Sequence, residues 1–223
     1  MILSNFKFNF IIEWDGNNVN TLVIENPKVF YSSVREMIDQ SEGIAGDYVL
    51  SDNNSIRILD IPKTVEVISD IFHFPPENKK IITGIHKELS DIAINEHTDR
   101  IYNLFSETQD IINEIVHKSS LDLIYDDVHD ISNILKIYNV RPDYMNMSLG
   151  EKMLLYMELC NKYLRKNLFV IVNIRACFDN EDLEILFRDF IYRKYNVLLI
   201  ENHDCQTLKN EIKRIIDNDL CEI

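Results

Sequence analysis

The chain has 223 residues, 46% of them hydrophobic, with 23 basic against 37 acidic side chains and a formal net charge of −14. That size and apolar content exclude a disordered chain and allow one core with an appendage, or two small domains. The charge argues against nucleic-acid affinity, which comes mainly from Lys and Arg neutralising phosphates, unless the basic residues are segregated or cations are recruited.

The opening MILSNFKFNFIIEWDGN lacks a basic leader and a long apolar run. No later stretch approaches the ~18 apolar residues of a bilayer span, so a cytoplasmic address and no membrane association are expected. Residues 6–12 and 20–25 read as two strands around DGNN, where Asp15-Gly16 is a hairpin signal. Pro27 stands where a helix can begin, followed by Val29, Phe30, Val34 and Ile38 at helical spacing. Gly43, Gly46 and the run SDNNS suggest a loop joining short strands such as SIRILDI, and PKTVEVISDIFHFPPENKK suggests a short helix closed by Pro75-Pro76.

Residues 81–140 then change texture and read as two long amphipathic helices. Ile85, Leu89, Ile92, Ile101, Phe105, Thr108, Ile112 and Ile115 step by threes and fours, and Leu121, Ile124, Val128, Ile131, Leu135 and Tyr138 follow a heptad. HKSS at 117–120 supplies a break, predicting an antiparallel helical hairpin that ends between Asn139 and Asp143.

Beyond it, Ser148 and Glu151 form a capping-box pattern, predicting a helix over about 149–166. LFVIVN (168–173) and NVLLIEN (196–202) are apolar runs of strand length flanking the amphipathic DNEDLEILFRDFIYRKY, a strand-helix-strand unit with parallel strands. DCQTLKNEIKRIIDN reads as a last helix. The expected fold is α/β: a discontinuous head (1–80 and 148–223) split by an inserted α-helical leg (81–147), a layout that resembles P-loop ATPases of the SMC and ABC type.

The chemistry of that fold is missing. A P-loop needs glycines so that backbone N–H groups can wrap phosphates, a Lys for the β and γ oxygens and a hydroxyl for Mg²⁺. The corresponding turn is ENPKVFYSS, where Glu25 repels phosphate and Pro27 has no N–H. At the end of LFVIVN stand Asn173, Ile174 and Arg175 in place of a metal-holding Asp and a catalytic Glu, and five glycines in the whole chain leave no other segment for the loop. The head is read as a degenerate P-loop-ATPase-like scaffold without Walker motifs.

No other catalytic constellation replaces it. Cys160, Cys177, Cys205 and Cys221 show no zinc or disulfide spacing and read as reduced thiols, and His73, His86, His97, His117, His129 and His203 are scattered surface or packing residues. One acidic cluster stands out in LDLIYDDVHDISNIL: on a helix Asp122, Asp126 and Asp130 form one stripe with Asp127 beside it. Like charges so spaced destabilise a helix by roughly 0.2–0.5 kcal/mol per pair unless neutralised. The stripe reads either as a solvated acidic face or as part of a Ca²⁺ site, which needs about six to eight oxygens and therefore a second segment or subunit.

The joint order of LVIENPKVF, the helical hairpin with an acidic second half, and KYLRKNLFVIVNIRACFDNEDLEILFRDFIYRKYNVLLIEN is similar to the type II-A CRISPR-associated spacer-acquisition proteins, the small ring-forming subunit of that adaptation module. The resemblance runs along essentially the whole chain. It implies a non-enzymatic homotetrameric ring that binds ends of double-stranded DNA through a positive channel, is stabilised by calcium, and works with the CRISPR integrase subunits and the effector nuclease. It favours the cation reading of Asp122, Asp126, Asp127 and Asp130. An acidic exterior can coexist with a basic lumen, because salt screens charge over about 8–10 Å. Candidates for the lining are Lys79, Lys80 and Lys87, and Lys162, Arg165 and Lys166, the last three also suiting a helix C-terminus. Two alternatives stand beside this expectation: a divergent NTPase whose loop comes from another chain, and an assembly module without DNA affinity.

Overall fold

The computed structural model describes residues 1–7, 10–52, 57–74 and 78–222. The chain divides into two compact units, one from Met1–Phe74 with Asn146–Ile223, the other from Pro75–Met145. The first unit begins with β1 (Ile2–Asn5), β2 (Phe10–Glu13), β3 (Val19–Ile24), α1 (Pro27–Ser41), β4 (Tyr48–Ser51), α2 (Ile61–Thr64) and β5 (Val65–Ile68). The second unit contributes α3 (Lys79–His117) and α4 (Ile131–Ile137). The chain then returns with α5 (Leu149–Leu164), β6 (Leu168–Val172), a 3₁₀ turn (Ile174–Ala176), α6 (Asn180–Tyr192), β7 (Asn196–Glu201) and β8 (Glu211–Ile216).

The first unit is mixed α/β. Its main sheet is parallel, in the order β5-β6-β7-β3-β8. LFVIV and NVLLIE are apolar runs because helices and a second sheet cover both faces. On one face Leu22, Ile24, Val170, Leu198 and Ile200 share a core with Leu3, Ile12 and Leu50 of the antiparallel sheet β2-β1-β4 and with Met37 of α1. Trp14 ties the two sheets, its indole N–H donating to the Val197 carbonyl at 2.9 Å. α6 lies against β3 and β7 and buries Leu183, Leu186, Phe187 and Phe190, one helical stripe. The caps follow the sequence: Asn26 accepts from the N–H groups of Lys28 and Val29 with Pro27 at the first helical position, and Ser148 and Glu151 close a reciprocal capping box.

Four expectations are corrected. Asp15-Gly16 does form a turn, with Gly16 at φ +83° and Asp15 accepting from the Asn17 N–H, but β2 and β3 do not pair across it. The turn passes the chain from one sheet to the other, since β3 is buried along its whole length between two parallel partners. Part of the expected strand 6–12 lies outside the described residues, as do Pro75-Pro76, most of SDNNS and the first two residues of SIRILDI; among the described residues of SIRILDI, Ile58 forms a bridge to Ser51. Within PKTVEVISD the helix is one turn long, and Val65–Ile68, three of whose four residues are β-branched, pairs with β6 instead. The expected final helix is β8: in EIKRII alternate residues face opposite sides of the sheet, and pairing with β3 outweighs the helical spacing.

The fourth correction concerns the second unit. α3 is one long helix, kinked at His97 (φ −135°, ψ 22°), and ends at the HKSS break. Residues 121–130 are not helical, and only Ile131–Ile137 forms α4, which packs on α3. Four aspartates in nine residues repel one another and compete for backbone N–H groups, which disfavours a helix interior. Asp130 instead adopts the extended conformation of an N-cap and accepts from the Ser132 N–H at 2.8 Å, so α4 cannot extend backwards through it.

Candidate nucleic-acid interface

In the second unit, one face of α3 carries Lys79, Thr83, His86, Lys87 and Ser90 at steps of three and four. α4 ends opposite it. Asn139 takes the left-handed conformation (φ 50°), its N–H donates to Lys136 O and the Val140 N–H donates to Leu135 O, a Schellman closure that turns the chain sharply. This turn presents the Val140 carbonyl to the buried His86, whose Nε2 lies 2.9 Å away. A carbonyl only accepts, so Nε2 carries the proton and the ring clamps the loop to α3.

Between the two elements lies a cavity of about 740 Å³, bordered by the cations Lys79, Lys87, Lys136 and Arg141 with Asp130 as its one carboxylate. Lys79, Lys87 and Lys136 form no ion pair among the described residues. Asp130 is already engaged by Ser132, through its N–H at 2.8 Å and its hydroxyl at 2.5 Å, and these bonds hold its carboxyl below the usual carboxylate range. A concave, net-positive wall in a chain of net charge −14 is where an anion is attracted.

The sequence-derived residues distribute unevenly. Lys79 and Lys87 line this cavity, whereas Lys80 is exposed in the first turn of α3 outside it. Lys136 and Arg141 were missed because they lie some fifty residues downstream, and only the α3–α4 pairing brings them in. Lys162 and Arg165 are exposed at the end of α5, with Lys162 beside the Tyr163 ring and Arg165 in the left-handed conformation. Lys166 corrects the expectation: it is buried, its ammonium donates to the Pro62 and Val65 carbonyls at 2.6 Å each, and Glu66 lies at 3.7 Å, so it offers no charge to phosphate. Asp122, Asp126, Asp127 and Asp130 do not form the expected helical stripe, because their segment is not helical. Asp127 pairs with His129 at 2.8 Å, and among the described residues no three His, Cys, Asp or Glu side chains converge to hold a metal.

In the first unit, the N-terminus of α1 is capped by the chain's own residues. The N-terminal N–H groups of α1 are taken by Asn26, and Pro27 donates none. Arg175, in the 3₁₀ turn after β6, reaches the first residue of β8 and pairs with both oxygens of Glu211 at 2.6 and 2.8 Å, with both side chains buried. Thr21 donates to the same carboxylate at 2.5 Å. Glu201, at the end of β7 and 4% exposed, accepts from the Arg175 N–H at 3.3 Å; burial pushes its carboxyl up to about 7, against the opposing pull of Arg175. These contacts pair the buried charged groups of the first unit with one another.

Comparison with known families gives a match to the model of CRISPR-associated protein (Cas_Csn2) over residues 40–220. The chain belongs to the Cas_Csn2 family. With that membership comes a role in type II-A CRISPR adaptation. No curated protein matches the chain. Among solved structures, this Cas_Csn2 member is similar to a metal-chelate type ABC transporter in an inward-facing conformation, at 8% identity and TM-score 0.43 over 96% of this chain and 74% of the other. It is also similar to an ABC transporter ATP-binding protein from Pyrococcus furiosus, at 10% identity and TM-score 0.40 over 92% and 86%. A third is cbiO1 from Clostridium perfringens, part of the ABC transporter complex cbiONQ, at 12% identity and TM-score 0.40 over 91% and 76%. In the described residues no helix is long and apolar enough to cross a membrane.

Proposed function

We propose that this Cas_Csn2 member is a non-enzymatic, sequence-independent binder of double-stranded DNA ends that supports spacer acquisition. It acts as a calcium-stabilised homotetrameric ring, alongside the CRISPR integrase subunits and the effector nuclease. The observation that carries the reading is the gathering of Lys79, Lys87, Lys136 and Arg141 around one concavity of the second unit in an otherwise acidic chain. Contacts of ammonium and guanidinium groups with phosphates carry no base readout, hence the lack of sequence preference. The P-loop-like scaffold serves as a rigid head, its phosphate position occupied by Asn26, Pro27 and the Arg175–Glu211 pair. Calcium takes its oxygens from more than one chain, with Asp122, Asp126 and Asp127 contributing, because a full site needs about six to eight oxygens and among the described residues no three such side chains converge. Exposed apolar side chains of the second unit, among them Ile115, Ile124, Ile137 and Tyr138, also favour contact between copies.

The test is light scattering with calcium and with chelator, run beside binding to linear and closed-circular duplexes over a salt series. A calcium-dependent tetramer that takes linear duplex but not closed circles is expected. Calcium-indifferent oligomers without DNA affinity refute it and leave the assembly-module reading, which those same apolar side chains favour. Nucleotide turnover by the purified chain would instead establish the NTPase reading.

A further inference from the structure

We infer that the cavity between α3 and the turn after α4 is a pocket for the phosphomonoester of a nucleotide, either the 5′ end of a DNA strand or a free nucleotide. The first case rests on the DNA-end reading and deepens it; the second is independent of it.

A positive surface alone would suit any phosphate backbone. Three features are specific to an inserted terminal group. The site is concave, and its volume of about 740 Å³ exceeds what a bare phosphate fills, falling in the range of pockets for nucleotide-sized molecules. Its rim carries Lys79, Lys87 and Lys136, which form no ion pair among the described residues, and its single carboxylate is committed to Ser132. That surplus suits a monoester, which bears about −1.5 to −2 at neutral pH, better than a backbone diester with one negative charge. The third feature is in the wall: the Ser90 hydroxyl oxygen is enclosed and has no hydrogen-bond partner among the described residues. Buried polar atoms are nearly always paired, so an unpaired one beside a cationic cavity points to a polar ligand atom that completes it. His86 holds the far wall in place through Val140 and keeps the concavity preformed.

Three probes separate the sources: a linear duplex with 5′-phosphate ends, the same duplex with 5′-hydroxyl ends, and a free deoxynucleoside 5′-monophosphate. Each is titrated by fluorescence anisotropy or calorimetry into the full chain and into the double variant K87Q/K136Q, whose substituted side chains are exposed and whose fold is checked by circular dichroism. The expected result is a roughly ten-fold preference for phosphate over hydroxyl ends that disappears in the variant, the loss typical of a charge-assisted contact. Absence of that preference, with saturable monophosphate binding lost in the variant, keeps the pocket and makes its ligand a free nucleotide. Absence of both effects overturns the pocket. If duplexes then bind regardless of end chemistry, the DNA reading stands without the pocket; if no duplex binds, that reading falls separately.

Discussion

Replacing Glu201 by Gln tests the buried polar network through its dependence on pH. The carboxyl rises from an ordinary 4.5 to about 7 in the folded chain, chiefly because burial penalises its charged form. Between those two values the folded chain keeps a proton that the unfolded chain releases. Its stabilising contribution is therefore complete below 4.5 and is lost as the pH rises through 7. At about 1.4 kcal/mol per pH unit, the interval corresponds to a loss of about 3 kcal/mol by pH 8. The amide introduced by Glu201→Gln would mimic the neutral form at every pH and can still accept from the Arg175 N–H. Urea unfolding at pH 5 to 9, followed by the fluorescence of the only tryptophan, the buried Trp14, should give stabilities within about 1 kcal/mol of each other at pH 5. At pH 8 the variant should be ahead by about 3 kcal/mol, the background titration of other groups cancelling in the difference. Parallel stability curves for the two proteins would show that Glu201 is ionised in the folded chain throughout, and the account of the network would be wrong.

Arg175→Met leaves the fully enclosed Glu211 carboxylate without its charged partner and should cost about 3–5 kcal/mol in urea unfolding, whereas adding Glu211→Leu should restore most of it. Ser148→Ala removes one half of the capping box of α5 and should lower stability by about 1 kcal/mol in a thermal melt, with Ser148→Asp close to wild type. If DNA phosphates engage the α3 cations, Lys87→Gln should reduce the slope of log K against log salt by about 0.9; an unchanged slope removes Lys87 from the interface.

What could be read from the sequence follows from whether local signals agreed with the tertiary outcome. The α5 capping box, the apolar runs LFVIV and NVLLIE and the helix between them were legible because propensity, pattern and burial point the same way. EIKRII and VEVI were not, since short apolar runs fit helix and strand alike and only the free edges of the sheet decide. The aspartate-rich segment kept its heptad spacing while its side chains favoured caps over helix interior, so the spacing misled. Lys79 and Lys87 were visible as a cluster, but nothing local links them to Lys136 and Arg141, and nothing in KYLRKN reveals that Lys166 turns inward to the Pro62 and Val65 carbonyls.

The position of β3 constrains how the chain can fold. Its two neighbours, β7 and β8, lie nearly the whole length of the chain downstream, so a strand buried along its whole length emerges from the ribosome long before its partners do. Distant parallel pairing is slow, because the entropy of closing so large a loop precedes any reward. The second unit makes its α3–α4 contacts locally and can form while β3 waits. Nascent chains halted before residue 196 should therefore expose a sticky VNTLVI segment beside an already helical second unit, making chaperone occupancy at that stage a property of strand order.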